Sequence, residues 1–390
     1  MFQRPLALPG SRDEIARIQS ARKKIAFQRA LQAPFHKKRL AGIDPDKLDD
    51  PAEWAKIPIL EKEELRVLDP KVFLSDFNLA PRTDIQEYWR SGGSTGIPLF
   101  YPRTFEDMKF GFESFQRGLD LAGLTPEDTV HLSFPLGIHP VGLVFGRLCQ
   151  MNGIGVNWAG AGSNTPSAIQ IQLIDRMQPT VFMGMSSYAI HLANLAEAQG
   201  IDLASSSVRI VMCSAEPLSQ AKRDKIERSW GAKVYDTFGM TEGGLMGAES
   251  HTHEGLVVSD DMFVFEVLDP DTHEPVAEGE VGTLVMTMLH TNNATPFIRW
   301  SSGDLVSMTR ENGTDGPYSV FPVLRHAHRT TGFFKVRGVN INHADFEDMM
   351  FRNRGITDFK CELLYDGGND IFRVSLEVTR GADPNAGAAE

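Results

Sequence analysis

The chain has 390 residues, room for two or three domains at ~150 residues each, and its 42% hydrophobic and 23% charged content is that of a globular protein with a sizeable core. With 39 Lys+Arg against 51 Asp+Glu the net charge is −12, which argues against a surface devoted to nucleic-acid phosphates or an anionic membrane, so any anionic ligand needs a local site. Cys149, Cys213 and Cys361 are odd in number and far apart, offering neither a disulfide framework nor a CxxC pair, and a reducing, cytoplasmic setting is expected.

Met1 to Gly10 shows no apolar segment with a cleavage site, so no secretory leader is expected. Ser11 to Gln32 is predicted helical: Ser11 with Glu14 has the capping-box spacing, and Ile15, Ile18, Ala21 and Ile25 recur on one face. Asp44-Pro45 and Asp50-Pro51 mark turns, and Glu61 to Leu68 suits a short helix. From Thr129 onward, apolar runs (Val130–Phe134, Ile154–Trp158, Val181–Met183, Val208–Cys213) alternate with amphipathic ones (Ala168–Met177, Tyr188–Ala198, Ser219–Trp230), the rhythm of α/β units. Within this stretch the longest apolar segment, Val141 to Val156, is interrupted by Arg147, Gln150 and Asn152 and is too short to span a membrane. Phe263–Leu268, Gly282–Met288 and Leu305–Met308 are predicted strands of a more antiparallel region. A helix, Ala344–Phe351, and two strands, Cys361–Tyr365 and Ile371–Val378, follow, and the Ala- and Gly-rich tail 381–390 is expected to lack structure.

Four short segments carry chemistry. Ser91-Gly92-Gly93-Ser94-Thr95-Gly96-Ile97-Pro98 has glycines that let backbone N–H groups crowd an anion and hydroxyls that add donors, yet its composition equally suits a surface loop. In Tyr235-Asp236-Thr237-Phe238-Gly239-Met240-Thr241-Glu242-Gly243-Gly244, Glu242 can hold Mg²⁺ against phosphates, or Thr241 can cap a helix with Glu242 in its first turn. Thr295 to Leu305 contains Ser302-Gly303-Asp304, which alone reads as a turn between strands. Arg325 to Asn342 contains Arg329-Thr330-Thr331-Gly332 and reads alone as a basic edge strand.

In order and spacing the four segments together resemble the adenylate-forming superfamily, and within it the phenylacetate-CoA ligase group, from about residue 11 to about residue 378. The first is similar to that family's Ser-Ser-Gly-Thr-Thr-Gly-Lys-Pro loop and Phe238 to Glu242 to its Tyr-Gly-Leu-Thr-Glu. Gly303-Asp304-Leu305 resembles its ribose-binding acid, Arg329 onward its hinge, and Ser214-Ala215-Glu216-Pro217 its Gly-Ala-Glu-Pro turn. The resemblance implies an α/β fold: a large multilayer adenylation domain with mixed sheets, residues 1–329, and a small, truncated α+β C-terminal domain, residues 330–390. It implies an ATP- and Mg²⁺-dependent ligase joining an aryl or other cyclic carboxylic acid to coenzyme A through an acyl-adenylate. Two other readings stand beside it: an adenylating enzyme that loads a carrier protein, and a nucleotide-binding pseudoenzyme.

The resemblance also implies roles. Ser91, Gly92, Gly93, Ser94, Thr95 and Gly96 would hold the β- and γ-phosphates; Glu242 with Thr241 would serve Mg²⁺ and the α-phosphate. Ala215, Glu216, Pro217, Asp236, Thr237 and Phe238 would surround the nucleotide, Asp304 would accept ribose hydroxyls, and Arg325 would lie near the ribose or α-phosphate. Phe134, Leu136, Ile138, Gly239 and Met240 would line the acyl pocket with Phe238, and Lys335 would approach CoA or the adenylate after domain rotation. A homodimer is the state common among relatives.

The departures carry expectations too. Ile97 replaces the loop lysine, so weaker ATP binding is expected; Thr331 and Gly332 replace two hinge aspartates, and Phe238 a tyrosine. Zinc is not expected, since the pairs His251/His253 and His326/His328 have no cysteine beside them. No match to the family's late lysine segment is found between Val378 and Glu390, so an impaired adenylation half-reaction is expected of a chain that is either cut short or naturally reduced.

Overall fold

The computed structural model describes residues 2–90, 99–329, 333–336, 339–366 and 369–378. Residues 91–98, expected to cradle phosphates, residues 330–332, expected at the hinge, and the tail 381–390 lie outside the described residues. The described chain is an α/β protein of two compact units: residues 1–128, 134–156 and 235–327 form the first, and residues 129–133, 157–234 and 328–390 the second. Among the described residues no helix is long and apolar enough to cross a membrane.

In the first unit the opening helix runs Arg12–Ala30, with Ser11 at its N-cap accepting the Glu14 N–H. The capping box is offset by one residue from the expected form, because the Glu14 carboxylate turns back to the N–H of Gly10 at 2.8 Å. Glu61 caps the short helix Lys62–Arg66, its N–H donating to the Glu64 carboxylate at 3.0 Å. Antiparallel strands follow one another across the unit in the order Phe263–Leu268, Gly282–Met288, Trp300–Thr309, Val323–Arg329, Leu256–Val258, Gly244–Glu249 and Lys233–Met240. A separate hairpin pairs Ile85–Arg90 with Phe100–Thr104.

Helix Phe105–Leu121 lies on strand Gly244–Glu249. Thr104 and Asp107 cap its start reciprocally, at 3.0 and 3.1 Å. Asp107 also accepts the N–H groups of Asn293 and Ala294, tying the helix start to that segment. Further along, Glu113 and Arg117, both buried, face inward one turn apart. The Arg117 guanidinium meets Asp261 bidentately at 2.5 and 2.8 Å, and Glu113 also takes Arg4 at 2.6 Å. Two buried carboxylates are thereby satisfied by two guanidinium groups, the condition for placing such charges in a core.

The centre of this unit is aromatic. Phe73 stacks on Phe77 at 5.3 Å, Phe77 meets Phe297 at 5.0 Å, and Phe297 meets Trp300 at 5.0 Å and Tyr101 at 5.8 Å. Ring pairs of this kind contribute about 0.5–1.5 kcal/mol each beyond the area they bury. They also fix the ring of Tyr101, leaving its hydroxyl as the one polar atom to be placed.

The second unit carries the parallel α/β layer expected from the alternating pattern. Val130–Leu132 pairs in parallel with Val181–Met183, and Val181–Gly184 with Ile210–Cys213. Helices Ser167–Met177, Ser186–Ala198 and Gln220–Trp230 connect and cover these strands around a core of Phe182, Leu192, Val211, Ile226 and Trp230. The fully buried Trp230 indole donates to the Ala189 carbonyl at 3.0 Å, so its one side-chain polar atom is met. The same unit holds helix His343–Arg352 and the long antiparallel hairpin Ile356–Asp366/Asn369–Val378.

Burial holds three histidines neutral. It lowers His36 and His290 to about 3 and His131 to about 4, the last against the opposing hydrogen bond that its ring makes to the Gln170 amide oxygen. Above pH 6.5 neither folded nor unfolded chain protonates these rings and stability is at its full value. As the pH falls through 6.5 the unfolded chain takes up protons that the folded chain accepts only near pH 3–4. Denaturant midpoints should therefore fall between pH 6.5 and pH 4 with a slope approaching three protons. A flat profile in that window would show that the three rings titrate normally in the fold.

Candidate active site

The second of the chemistry-bearing segments forms a tight antiparallel hairpin. Strand Lys233–Met240 turns at Thr241, Glu242 and Gly243 into Gly244–Glu249, with Met240 opposite Gly244. Thr241 is thus a turn residue between strands and not a helix cap, which corrects the alternative raised from sequence. Gly244 has φ +88°, and a Cβ on Gly239 would sit 2.7 Å from the Gly244 carbonyl oxygen. Both positions need glycine for the strands to close this near the turn.

Glu242 is buried at the turn, and the Tyr101 hydroxyl donates to its Oε1 at 3.1 Å. The half-buried Thr241 carbonyl and the buried Glu242 carbonyl accept from one Arg103 nitrogen at 2.5 and 2.6 Å, while another nitrogen donates to Thr295 at 2.7 Å. The guanidinium plane lies 4.9 Å over the Trp89 ring. Burial lowers the Arg103 pKa, opposed by the charges of Asp107 and Glu242. Carbonyl acceptors and an aromatic face are the partners a buried guanidinium requires. A carboxylate held this way, acceptor-only and shielded from water, is suited to a hard divalent cation.

The Ser-Gly-Asp segment is not a turn between strands. It lies inside Trp300–Thr309, where the register against Gly282–Met288 steps from Leu305 opposite Thr283 to Ser301 opposite Val285. Ser302, Gly303 and Asp304 together oppose Leu284 alone, a bulge with two surplus residues, and Gly303 takes φ +77° to make it. The bulge re-aims Asp304, which is fully buried; its Oδ1 meets His326 Nε2 at 2.9 Å. The His326 ring in turn lies 5.9 Å from the Phe238 ring, so residues of the second, third and fourth segments meet in this unit. Arg325, beside His326, is exposed and donates to Thr309 Oγ1 at 3.0 Å.

On the strand leading into the hairpin, the Asp236 N–H donates to Glu249 at 2.8 Å and the Thr237 N–H to Asp236 at 2.9 Å. His253 sits 3.4 Å from Glu249 and against Tyr235, and His326 is engaged by Asp304. Among the described residues no group of three or more His, Cys, Asp and Glu could hold a metal ion.

Of the residues assigned to the acyl pocket, Phe134 is fully buried and stacks on Phe145 at 6.0 Å. Leu136 is half-buried against Gly142, and Ile138 is exposed, its carbonyl accepting from the Arg90 N–H. Gly239 and Met240 are half-buried in the hairpin.

In the second unit, Ala215 follows strand Ile210–Ser214 with φ +70°, a left-handed conformation that a non-glycine residue adopts at a cost of about 1–2 kcal/mol. That conformation turns Glu216 onto the start of helix Ser186–Ala198. Its carboxylate accepts from the Ser187 N–H at 2.8 Å and from the hydroxyls of Ser186 and Ser187 at 3.0 and 2.6 Å. Burial would raise the Glu216 pKa, but the serine hydrogen bonds and Lys222 prevail and lower it. Lys222, itself buried, reaches Glu347 at 3.0 Å and lies 3.8 Å from Glu216. Pro217 follows, and Lys335 lies in strand Phe333–Val336 opposite Asn340. A cavity of about 520 Å³ in this unit is lined by Lys222, Glu347, Phe351, Phe359 and Phe372 among others, and contains none of the residues given a catalytic or binding role from sequence.

Arg103, Tyr101 and His326 carry the geometry of the site; Arg103 and Tyr101 lie in none of the four segments, and His326 is weighed from sequence only as a zinc ligand. An arginine immediately before a Thr with capping-box spacing to Asp107 is the one available cue.

Residues 91–290, just over half of the chain, match the family model described as AMP-binding enzyme, and the chain belongs to that family. Within it the chain is phenylacetate-CoA ligase-like, an AMP-forming acid–thiol ligase. It is 29% identical to the phenylacetate-coenzyme A ligase of Thermus thermophilus over 94% of this chain and 82% of that protein. With the Escherichia coli phenylacetate-coenzyme A ligase it shares 27% identity over 94% and 83%. Its fold is that of 2-hydroxyisobutyryl-CoA ligase in the postadenylation state in complex with 2-HIB-AMP, at a TM-score of 0.84 and 23% identity, covering all of this chain and 85% of that one.

Replacing Gly303 by Ala forces a Cβ into the left-handed region and should lower stability by about 1–2 kcal/mol. Because the bulge also aims Asp304, ATP affinity should fall by more than this loss alone explains. Calorimetric titration beside a melting curve checks both, and a variant with native affinity would disconnect the bulge from the nucleotide.

Proposed function

We propose that the chain activates an aryl or other cyclic carboxylic acid with ATP and passes the acyl group to coenzyme A, in the cytoplasm. The observation that carries this reading is the buried Glu242 carboxylate at a hairpin turn pinned by Arg103, inside the segment that matches the AMP-binding enzymes. Solved structures of 2-hydroxyisobutyryl-CoA ligase hold 2-HIB-AMP and CoA together, which supports the same kind of substrate pair here.

A carboxylate resists direct attack by a thiol because its leaving group would be oxide. In the proposed first step a carboxylate oxygen attacks the α-phosphorus of ATP and pyrophosphate leaves with the electron pair of the broken P–O bond, giving an acyl-adenylate. In the second the CoA thiolate attacks the acyl carbonyl carbon and AMP leaves as a weakly basic phosphate. Mg²⁺, when bound, would neutralise charge developing on the phosphates. Glu242 would hold it: one acceptor-only carboxylate, with remaining sites left to waters and phosphate oxygens, fits the habits of that ion.

Residues Ser91–Gly96 would give backbone donors to the β- and γ-phosphates, and Thr241 a hydroxyl to the α-phosphate. Ala215, Glu216, Pro217, Asp236, Thr237 and Phe238 would flank the base, Asp304 would accept from the ribose hydroxyls, and Arg325 would approach the ribose or α-phosphate. Phe134, Leu136, Ile138, Gly239 and Met240 would shape the acyl site. A hinge after residue 329 would let residues 330–390 move and bring Lys335 toward the thioester-forming site.

Acid-dependent pyrophosphate release across a panel of phenylacetate-, benzoate- and indole-type acids tests the reading, with at least one acid expected to support turnover. Glu242→Gln should lower that release by about a hundredfold or more while leaving the melting temperature within a few degrees. Release at the native rate would remove Glu242 from the metal role. Offering CoA and a phosphopantetheinyl carrier separately identifies the acceptor, and ATP binding with no release from any acid would favour the pseudoenzyme.

A further inference from the structure

We propose that His326 is a positioning residue for the nucleotide, holding the Asp304 carboxylate in the orientation that receives the ribose hydroxyls; this rests on the ribose role given to Asp304 above. The terminal torsion of an aspartate is broad, so the rotamer alone does not fix where its oxygens point, and a hydrogen bond must. His326 Nε2 lies 2.9 Å from Asp304 Oδ1. An ionised carboxylate only accepts, so Nε2 carries the hydrogen and donates it.

The imidazole is itself located. Its ring lies against Phe238 at 5.9 Å and an interplanar angle of 54°, and Phe238 belongs to the strand that ends at the Thr241–Glu242 turn. Asp304 is fully buried while His326 keeps part of its surface, so the pair presents a fixed acceptor at the edge of the core and not a solvated charge. His326 therefore acts through Asp304, and its contribution should depend on the sugar hydroxyls of the ligand.

This dependence gives the test. The native chain, His326→Phe, His326→Gln and Asp304→Asn are titrated calorimetrically with ATP and with 2′,3′-dideoxy-ATP in magnesium buffer. The native chain should prefer ATP by tenfold or more. His326→Phe retains a ring beside Phe238 but has no donor, and should lose about tenfold in that preference, the worth of one hydrogen bond to a charged group. His326→Gln keeps a donor near the Nε2 position and should recover most of it. A merely structural role would weaken both ligands alike and leave the ratio unchanged.

If Asp304→Asn loses the preference while His326→Phe keeps it, the positioning role is overturned and the ribose role stands. If the native chain shows no preference, or Asp304→Asn keeps it in full, the ribose role fails and the proposal falls with it. Should His326→Phe not fold, the Gln variant decides. A native ratio there supports the donor role, and a lost ratio with an unchanged melting temperature overturns the claim that a donor at that position suffices.

Discussion

A single buried guanidinium holds together the part of the molecule on which the candidate chemistry depends. The Glu242 carbonyl is buried and that of Thr241 lies half-buried beside it, and an unmet buried carbonyl costs about 1–3 kcal/mol. Arg103 answers both from one nitrogen and uses the other on Thr295, so the hairpin turn, strand Phe100–Thr104 and the segment at Thr295 share one anchor. The aromatic cluster below does the complementary task, because it fixes the Tyr101 ring and thereby delivers its hydroxyl to the Glu242 carboxylate. A cation, a phenol and a packed core together specify where one acidic side chain sits.

Asp304 reaches its place by a different route. A regular strand would alternate its side chains face to face, with no freedom to redirect one of them. Two surplus residues and a left-handed glycine break that alternation, and His326 from the neighbouring strand then meets the displaced carboxylate. The two acids of the site thus rest on two backbone irregularities, a glycine-closed turn and a glycine-made bulge, each inside otherwise ordinary antiparallel pairing.

How much of this the sequence discloses follows the range of the interactions. The helix after Ser11 and the alternation from Thr129 to Trp230 are legible because caps and periodicity are local properties of the chain. Thr241 could not be told from a helix cap, since Thr-Glu-Gly-Gly suits both. Strand Gly244–Glu249 pairing back on Lys233–Met240 decides the matter. The bulge at Gly303 exists only relative to Thr283–Val285, so Ser-Gly-Asp looks like a turn until its partner strand is placed. Arg103 meets residues 138 and 139 positions away, a separation over which no pattern announces a partner. The motifs and their order were nonetheless sufficient for the family, because each constrains backbone chemistry within a few residues.

Lys222 places a further constraint on the second unit. One ammonium lies between the carboxylate of Glu216, in the loop after strand Ile210–Ser214, and that of Glu347, on helix His343–Arg352. The ammonium takes one position under the pull of both carboxylates, so the two contacts are coupled through where it sits. By linkage, a change at Glu216 that draws the ammonium away weakens the hold on the helix, and movement of the helix acts back on Glu216 with the same coupling free energy. A loop and a helix more than a hundred residues apart in sequence are in this sense a single electrostatic circuit closed through one lysine.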